Sequence, residues 1–77
     1  MQWRDRITVN PEVCHGKPCI QGTRVLVSVI LDNLAGGVTA AAILANYPSL
    51  QQADIQAALG YAAELARERF VVLPEAV

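Results

Sequence analysis

Two interruptions constrain this chain more than any other feature, Gly36-Gly37 and Pro48. Glycine accepts the left-handed conformation in which helices end, and proline cannot donate to a helical ladder. Together they divide the alanine-rich part of the chain into short segments. "VLVSVILDNLAGG" reads as a helix. Helical spacing gathers Val27, Ile30, Leu31 and Leu34 on one face and Ser28 with Asp32 on another, whereas strand alternation would mix Leu26, Ser28, Ile30 and Asp32. Thr39 is placed to cap "AAAILANY", whose apolar positions are Ile43, Leu44 and Tyr47. "PSL" then turns into a third helix, from about Gln51 to Arg69. Asp54 lies in its first turn and Arg67 and Arg69 in its last, as the helix dipole favours. Its expected buried stripe is Ile55, Leu59, Ala62, Leu65 and Ala66. Gly60 in mid-helix costs roughly 1 kcal/mol against alanine, and the expected reason is close packing against another backbone.

Upstream, "ITV" (Ile7–Val9) is β-branched and is stopped by Asn10-Pro11. Val13-Cys14 and Cys19-Ile20 flank "HGKP" like two short strands around a turn. The expected organisation is one domain over 1–77. It has a short β-segment and Gly-Thr-Arg turn over 7–25, a three-helix helix-turn-helix core over 26–69 and a tail over 70–77. The fold class is mainly α, with a short N-terminal β-element.

At 77 residues the chain is near the lower size at which a single core supports folding. Its 53% apolar content argues against disorder and leaves more apolar surface than a small monomer easily hides. A homodimer, or a tight complex with a partner, is therefore predicted. No apolar run reaches the length of about eighteen residues that a membrane span needs, and "MQWRDRITVN" lacks the apolar core of a signal peptide. The expected location is the cytoplasm, where Cys14 and Cys19 stay reduced.

Charge is divided unevenly. Residues 1–24 carry Arg4, Arg6, Lys17 and Arg24 against Asp5 and Glu12, a net +2. Residues 25–77 carry Arg67 and Arg69 against Asp32, Asp54, Glu64, Glu68 and Glu75, a net −3. With a pI near 5.6 the chain has at most a small basic end, not the broad basic face of a strong nucleic-acid binder.

"CHGKPCIQGTRV" gathers the chemically active residue types. Cys14, His15 and Cys19 supply three metal-ligand types without a fourth, and adjacent residues of a strand do not readily face one ion. The cysteines read as small core residues and His15 as a turn residue. Gly16-Lys17 is followed by Pro18, which has no N–H to offer a phosphate, so a phosphate-binding loop is excluded. Nothing orients a catalytic triad, and Asp32 and Asp54 lie on separate helices, so neither an enzyme nor a cofactor is expected. "GTR" has a structural reading: Gly22 permits a sharp turn and Thr23 bonds local backbone. Arg24 either braces a carboxylate or helix-end carbonyls, or contacts phosphate or a partner's acidic groups.

Taken together, "GKPCIQGTRVLVSVI", "LAGG", "ILANYPSL" and "DIQAALGYAAE" resemble the small bacterial and archaeal domain-of-unknown-function 433 family, over about Ile7 to Glu68. The resemblance implies a homeodomain-like helical fold behind a short β-segment. It also implies an antitoxin, of a kind encoded beside a small PIN-like ribonuclease toxin and in some cases grouped with VapB-type antitoxins. Two departures make the surface less polar. Ala40-Ala41-Ala42 stands where members often carry two glutamates, and Gln51 stands where they often carry threonine.

Two functions in different classes follow. As an antitoxin-like protein the chain neutralises a PIN-like ribonuclease by protein–protein binding, with Phe70, Val71, Val72 and Leu73 either docking on the partner or folding back on the chain's own core. As a transcriptional regulator it presents Ser49, Gln51, Gln52 and Gln56 to operator DNA, with Arg4, Arg6, Lys17 and Arg24 neutralising phosphates. The first reading includes autorepression of its own operon through the same residues.

Overall fold

A computed structural model describes residues 2–68. A single turn of 3-10 helix (Trp3–Asp5) leads into strand β1 (Ile7–Asn10), which pairs antiparallel with β2 (Val13–Ile20). Three helices follow: α1 (Val27–Ala35), α2 (Ala40–Asn46) and α3 (Gln52–Glu68).

The hairpin turns at Pro11-Glu12, where the Asn10 side chain accepts the Glu12 N–H at 2.9 Å. Ile7 lies opposite Ile20, Thr8 opposite Cys19 and Val9 opposite Pro18, whereas Asn10 lies opposite Val13. Residues 14–17 therefore loop out of the ladder, and Cys14, His15 and Gly16 carry φ of 54°, 55° and 78°. This corrects the expectation of two short strands around "HGKP": the reversal is at Pro11-Glu12, and "HGKP" falls within the excursion and the strand that resumes after it. Pro18 is tolerated because Gln21 directs its N–H to Arg6 in β1's direction while Ile20 directs its own to Val25. By alternation, the N–H that Pro18 lacks would face away from β1.

The helix ends follow local chemistry. Gly37, at φ +90°, closes α1 in a Schellman arrangement: its N–H bonds the Leu34 carbonyl, and the Val38 N–H bonds that of Asn33. Thr39 caps α2, its hydroxyl accepting the Ala42 N–H at 3.1 Å. The core is one cluster of Ile20, Val27, Ile30, Ile43, Leu50, Ile55 and Ala58, drawn from the hairpin and all three helices. On α1 the expected face is the buried one, with Val27 and Ile30 inside and Ser28 and Asp32 exposed.

Three expectations are corrected. The β-element is not minor, although helix still predominates. Strands of four and eight residues form a two-stranded antiparallel sheet that delivers Cys19 and Ile20 to the interior, so three helices and a sheet share the core. The expected dimer also finds no support among the described residues. The large apolar side chains left exposed among the described residues are Val9, Leu59 and Leu65, and the last two lie about 120° apart around α3. Among the described residues these side chains do not join into one face of α3, and nothing there supports a second copy. Finally, the buried stripe of α3 is rotated from the expected one: Ile55, Ala57 and Ala58 are inside, whereas Leu59, Leu65 and Ala66 are exposed. Small alanines, not leucines, meet the core because α1 and the N-terminal turn approach closely. Arg69 and the tail, Phe70–Val77, for which roles are expected above, lie outside the described residues.

Gly60 is explained by a side chain and not by a second backbone. A Cβ there would stand 2.8 Å from Cδ1 of Trp3 and 3.1 Å from its Cβ. Trp3 meets Tyr61 edge-on, with ring centroids 5.5 Å apart, and carries the Arg4 guanidinium 4.3 Å above its face. Gly60→Ala is expected to lower stability by about 1 kcal/mol despite alanine's better helix propensity. In a Trp3→Ala background the same change is expected to stabilise by about 1 kcal/mol. Urea unfolding of the double-mutant cycle checks this, and a substitution effect of the same sign in both backgrounds contradicts it.

Candidate functional site

The Gly-Thr-Arg turn joins β2 to α1 and is fixed from within. Gly22 has φ +83°, a conformation that glycine alone adopts without strain. The Thr23 hydroxyl donates to the Ile20 carbonyl at 2.8 Å and accepts the Val25 N–H at 3.0 Å. Val25 in turn accepts the Ile20 N–H, and Leu26 bridges Cys19, so the segment after the turn lies along the free edge of β2. Held this way, Arg24 projects from the surface.

Beside the turn is an open groove of about 780 Å³, walled by Thr8, Asn10 and Gln21 from the hairpin and by Ser49 from the α2–α3 connection, with Arg24 on its rim. The structure thus brings together two residues that are far apart in sequence and were both singled out there, Arg24 and Ser49. Gln51, Gln52 and Gln56 are exposed at the start of α3. Lys17 is exposed too, but it borders a different cleft, formed with Pro18, Leu31, Tyr61 and Leu65.

The other two N-terminal cations are committed elsewhere. Arg6 donates from Nη1 to Asp54 Oδ1 at 2.9 Å, and Asp54 is 4% exposed. The second oxygen of Asp54 accepts the Gln51 N–H at 2.8 Å, the return half of a capping box in which Gln51 has no hydroxyl to offer. Arg4 pairs with Glu64 at 3.3 Å, and Glu64 also takes Arg67 at 2.7 Å. Of the arginines in the described residues, Arg24 is the one without an ion-pair partner, and its side chain makes no hydrogen bond there either. Among the described residues Arg24 braces neither a carboxylate nor helix-end carbonyls. Thr8, Asn10 and Gln21 escape sequence reasoning because the hairpin alone brings them to one groove.

The cysteines sit behind this turn. The Cys14 thiol donates to the Arg24 carbonyl at 3.3 Å, and the Cys19 thiol to the Thr23 carbonyl at 3.9 Å. Burial, followed by the hydrogen bond and charge of Cys14, pushes the Cys19 thiol above its ordinary range. Among the described residues no three His, Cys, Asp or Glu side chains converge as a metal site.

This combination of an antiparallel hairpin, a Gly-Thr-Arg turn and three helices is a known one. The chain belongs to the DUF433 family, a protein family of unknown function, whose pattern matches residues 7–62. It is similar to the crystal structure of a DUF433 member protein from Anabaena variabilis, with 31% identity and a TM-score of 0.76 over 84% of this chain. It spans 64% of that protein's chain. No curated protein matches it. No helix among the described residues is long and apolar enough to cross a membrane.

Asp54→Ala is expected to cost about 2 kcal/mol, because it leaves Arg6 and the Gln51 N–H without their acceptor. Water reaching the partly exposed guanidinium keeps the loss from being larger. Asp54→Asn, which keeps an acceptor for the Gln51 N–H, should lose less; urea unfolding distinguishes them. Glu64 supplies a pH dependence. Hydrogen bonds from Arg4 and then Arg67 hold its carboxyl below the ordinary carboxylate range. Its contribution is therefore complete above the unfolded-state value and is lost as pH falls through the depressed folded value. The difference in urea midpoint between the parent and Glu64→Gln should shrink in acid and in high salt. A difference that persists unchanged contradicts the assignment.

Proposed function

We propose that the chain is an antitoxin-like protein that binds a small PIN-like ribonuclease through the surface formed by Arg24 and the groove beside it. The observation that carries this reading is Arg24 itself, projecting from a rigid turn while Arg4, Arg6 and Arg67 are held in ion pairs. A guanidinium matches carboxylates in a two-point geometry and keeps its charge in an interface. The centre of a metal-dependent ribonuclease is rich in the carboxylates that hold its ions. Arg24 set against such a centre would cover it, while Thr8, Asn10, Gln21 and Ser49 supply hydrogen bonds around the contact.

A second reading, a DNA-binding regulator, is supported by the exposure of Gln51, Gln52 and Gln56 at the start of α3, next to Ser49. Amide side chains there suit adenine edges. It is the weaker reading, because Arg4 and Arg6 are paired with Glu64 and Asp54 and Lys17 lies on another cleft, leaving Arg24 nearest to any phosphate. Repression of its own operon remains part of the antitoxin proposal on the same residues.

A small PIN-like ribonuclease should be encoded beside it, and co-expression of the two should yield a stable complex and relieve growth arrest. Arg24→Glu, with an unchanged circular dichroism spectrum, should weaken that complex about a hundredfold, equivalent to ~3 kcal/mol. A complex indifferent to Arg24→Glu, or the absence of any complex, overturns the proposal. Titration of the upstream DNA at several salt concentrations tests the second reading. Binding whose salt slope is unchanged by Lys17→Ala with Arg24→Ala refutes phosphate contact by those residues.

A further inference from the structure

We infer that Cys14 and Cys19 form a reactive dithiol, a modification site for two-electron oxidants that closes as an intramolecular disulfide across the looped-out residues of the hairpin. This assignment does not depend on the proposed nuclease contact.

The juxtaposition follows from the ladder. Val13 lies opposite Asn10 and Pro18 opposite Val9, so the two positions bracketing the excursion face neighbouring residues of β1. Each cysteine directly follows one of those anchors. Between them the chain curls through the left-handed conformations of Cys14, His15 and Gly16. Non-glycine residues rarely adopt such conformations, and runs of them cluster where a side chain must be aimed. The aim is visible in the hydrogen bonds: both thiols point at carbonyls of consecutive residues, Arg24 for Cys14 and Thr23 for Cys19. Burial first, and then the hydrogen bond and charge of Cys14, raise the Cys19 thiol, in keeping with the two side chains lying together.

Access divides the roles. Cys14 is half-buried and Cys19 is fully buried, so Cys14 meets the oxidant and Cys19 resolves it. With hydrogen peroxide, the Cys14 sulfur attacks one oxygen, the O–O bond breaks, and a sulfenic acid and one water form. The Cys19 sulfur then attacks Cys14, the S–O bond breaks, and the departing hydroxide takes the Cys19 proton as a second water. The two sulfurs lose two electrons and the peroxide gains them. The disulfide has no S–H, so the Thr23 and Arg24 carbonyls lose their donors, and the change is registered in the turn that presents Arg24.

The test uses the whole chain. With one equivalent of hydrogen peroxide, mass spectrometry should show a monomer lighter by two hydrogens, and maleimide labelling of both thiols should be lost together. Amide resonances of Thr23 to Val25 should move, and dithiothreitol should restore them. With oxidised glutathione, the adduct on Cys14 should be transient in the parent chain and persistent in Cys19→Ser or Cys19→Ala. The parent-chain result stands even if burial of Cys19 makes those variants fold poorly. A glutathione adduct that persists on Cys14 of the parent while Cys19 stays labelled overturns the inference. So does oxidation that stops at Cys14 sulfinic acid, or that gives disulfides only between chains.

Discussion

Asp54 is a carboxylate almost removed from water, and a group in that position must find its hydrogen bonds inside the protein. One oxygen takes Arg6 and the other takes the Gln51 N–H, so a single side chain starts α3 and fastens the hairpin to it. The consequence spreads further through Arg6, whose carbonyl accepts the Gln21 N–H at 2.8 Å. Gln21 leads directly into Gly22, Thr23 and Arg24. The orientation of the exposed arginine is therefore linked, by two hydrogen-bonded steps and three residues of backbone, to a buried acid on another element.

That chain of dependence explains why the family pattern identifies a fold more readily than an activity. Gly22 is present for its backbone angle, Thr23 for two local hydrogen bonds, Asp54 for a cap and an ion pair, and Pro48 for ending a helix. Arg24 differs from these, because nothing inside the described chain uses its side chain. A motif composed mostly of turn and cap residues reports how the backbone is built and leaves one position to carry the outward chemistry.

What the sequence disclosed tracks how local each determinant is. Gly36-Gly37, Thr39 and Pro48 act within a few residues of themselves, and the helices end where those residues place their ends. Thr23 likewise forms the local bonds expected of it. The hairpin was misread because the three left-handed residues at 14–16 have no composition signal beyond Gly16, and cysteine and histidine seldom adopt that conformation. The α3 stripe was misread because periodicity favoured large side chains, whereas the neighbours that face α3 leave room for alanine. Arg4 and Arg6 looked like free cations because their acidic partners, Glu64 and Asp54, are some fifty residues or more away and only the fold brings them together. The groove has the same origin: Thr8 and Ser49 share no sequence signal.

The seat of Trp3 on Gly60 has a spectroscopic consequence. The indole is the chain's one tryptophan, and it lies outside the central cluster, against α3, Tyr61 and the Arg4 guanidinium. Its emission therefore reports whether the N-terminal turn is docked and not whether the core is intact. Opening at that end, a fluctuation far smaller than global unfolding, becomes measurable in the native protein from the light of one residue.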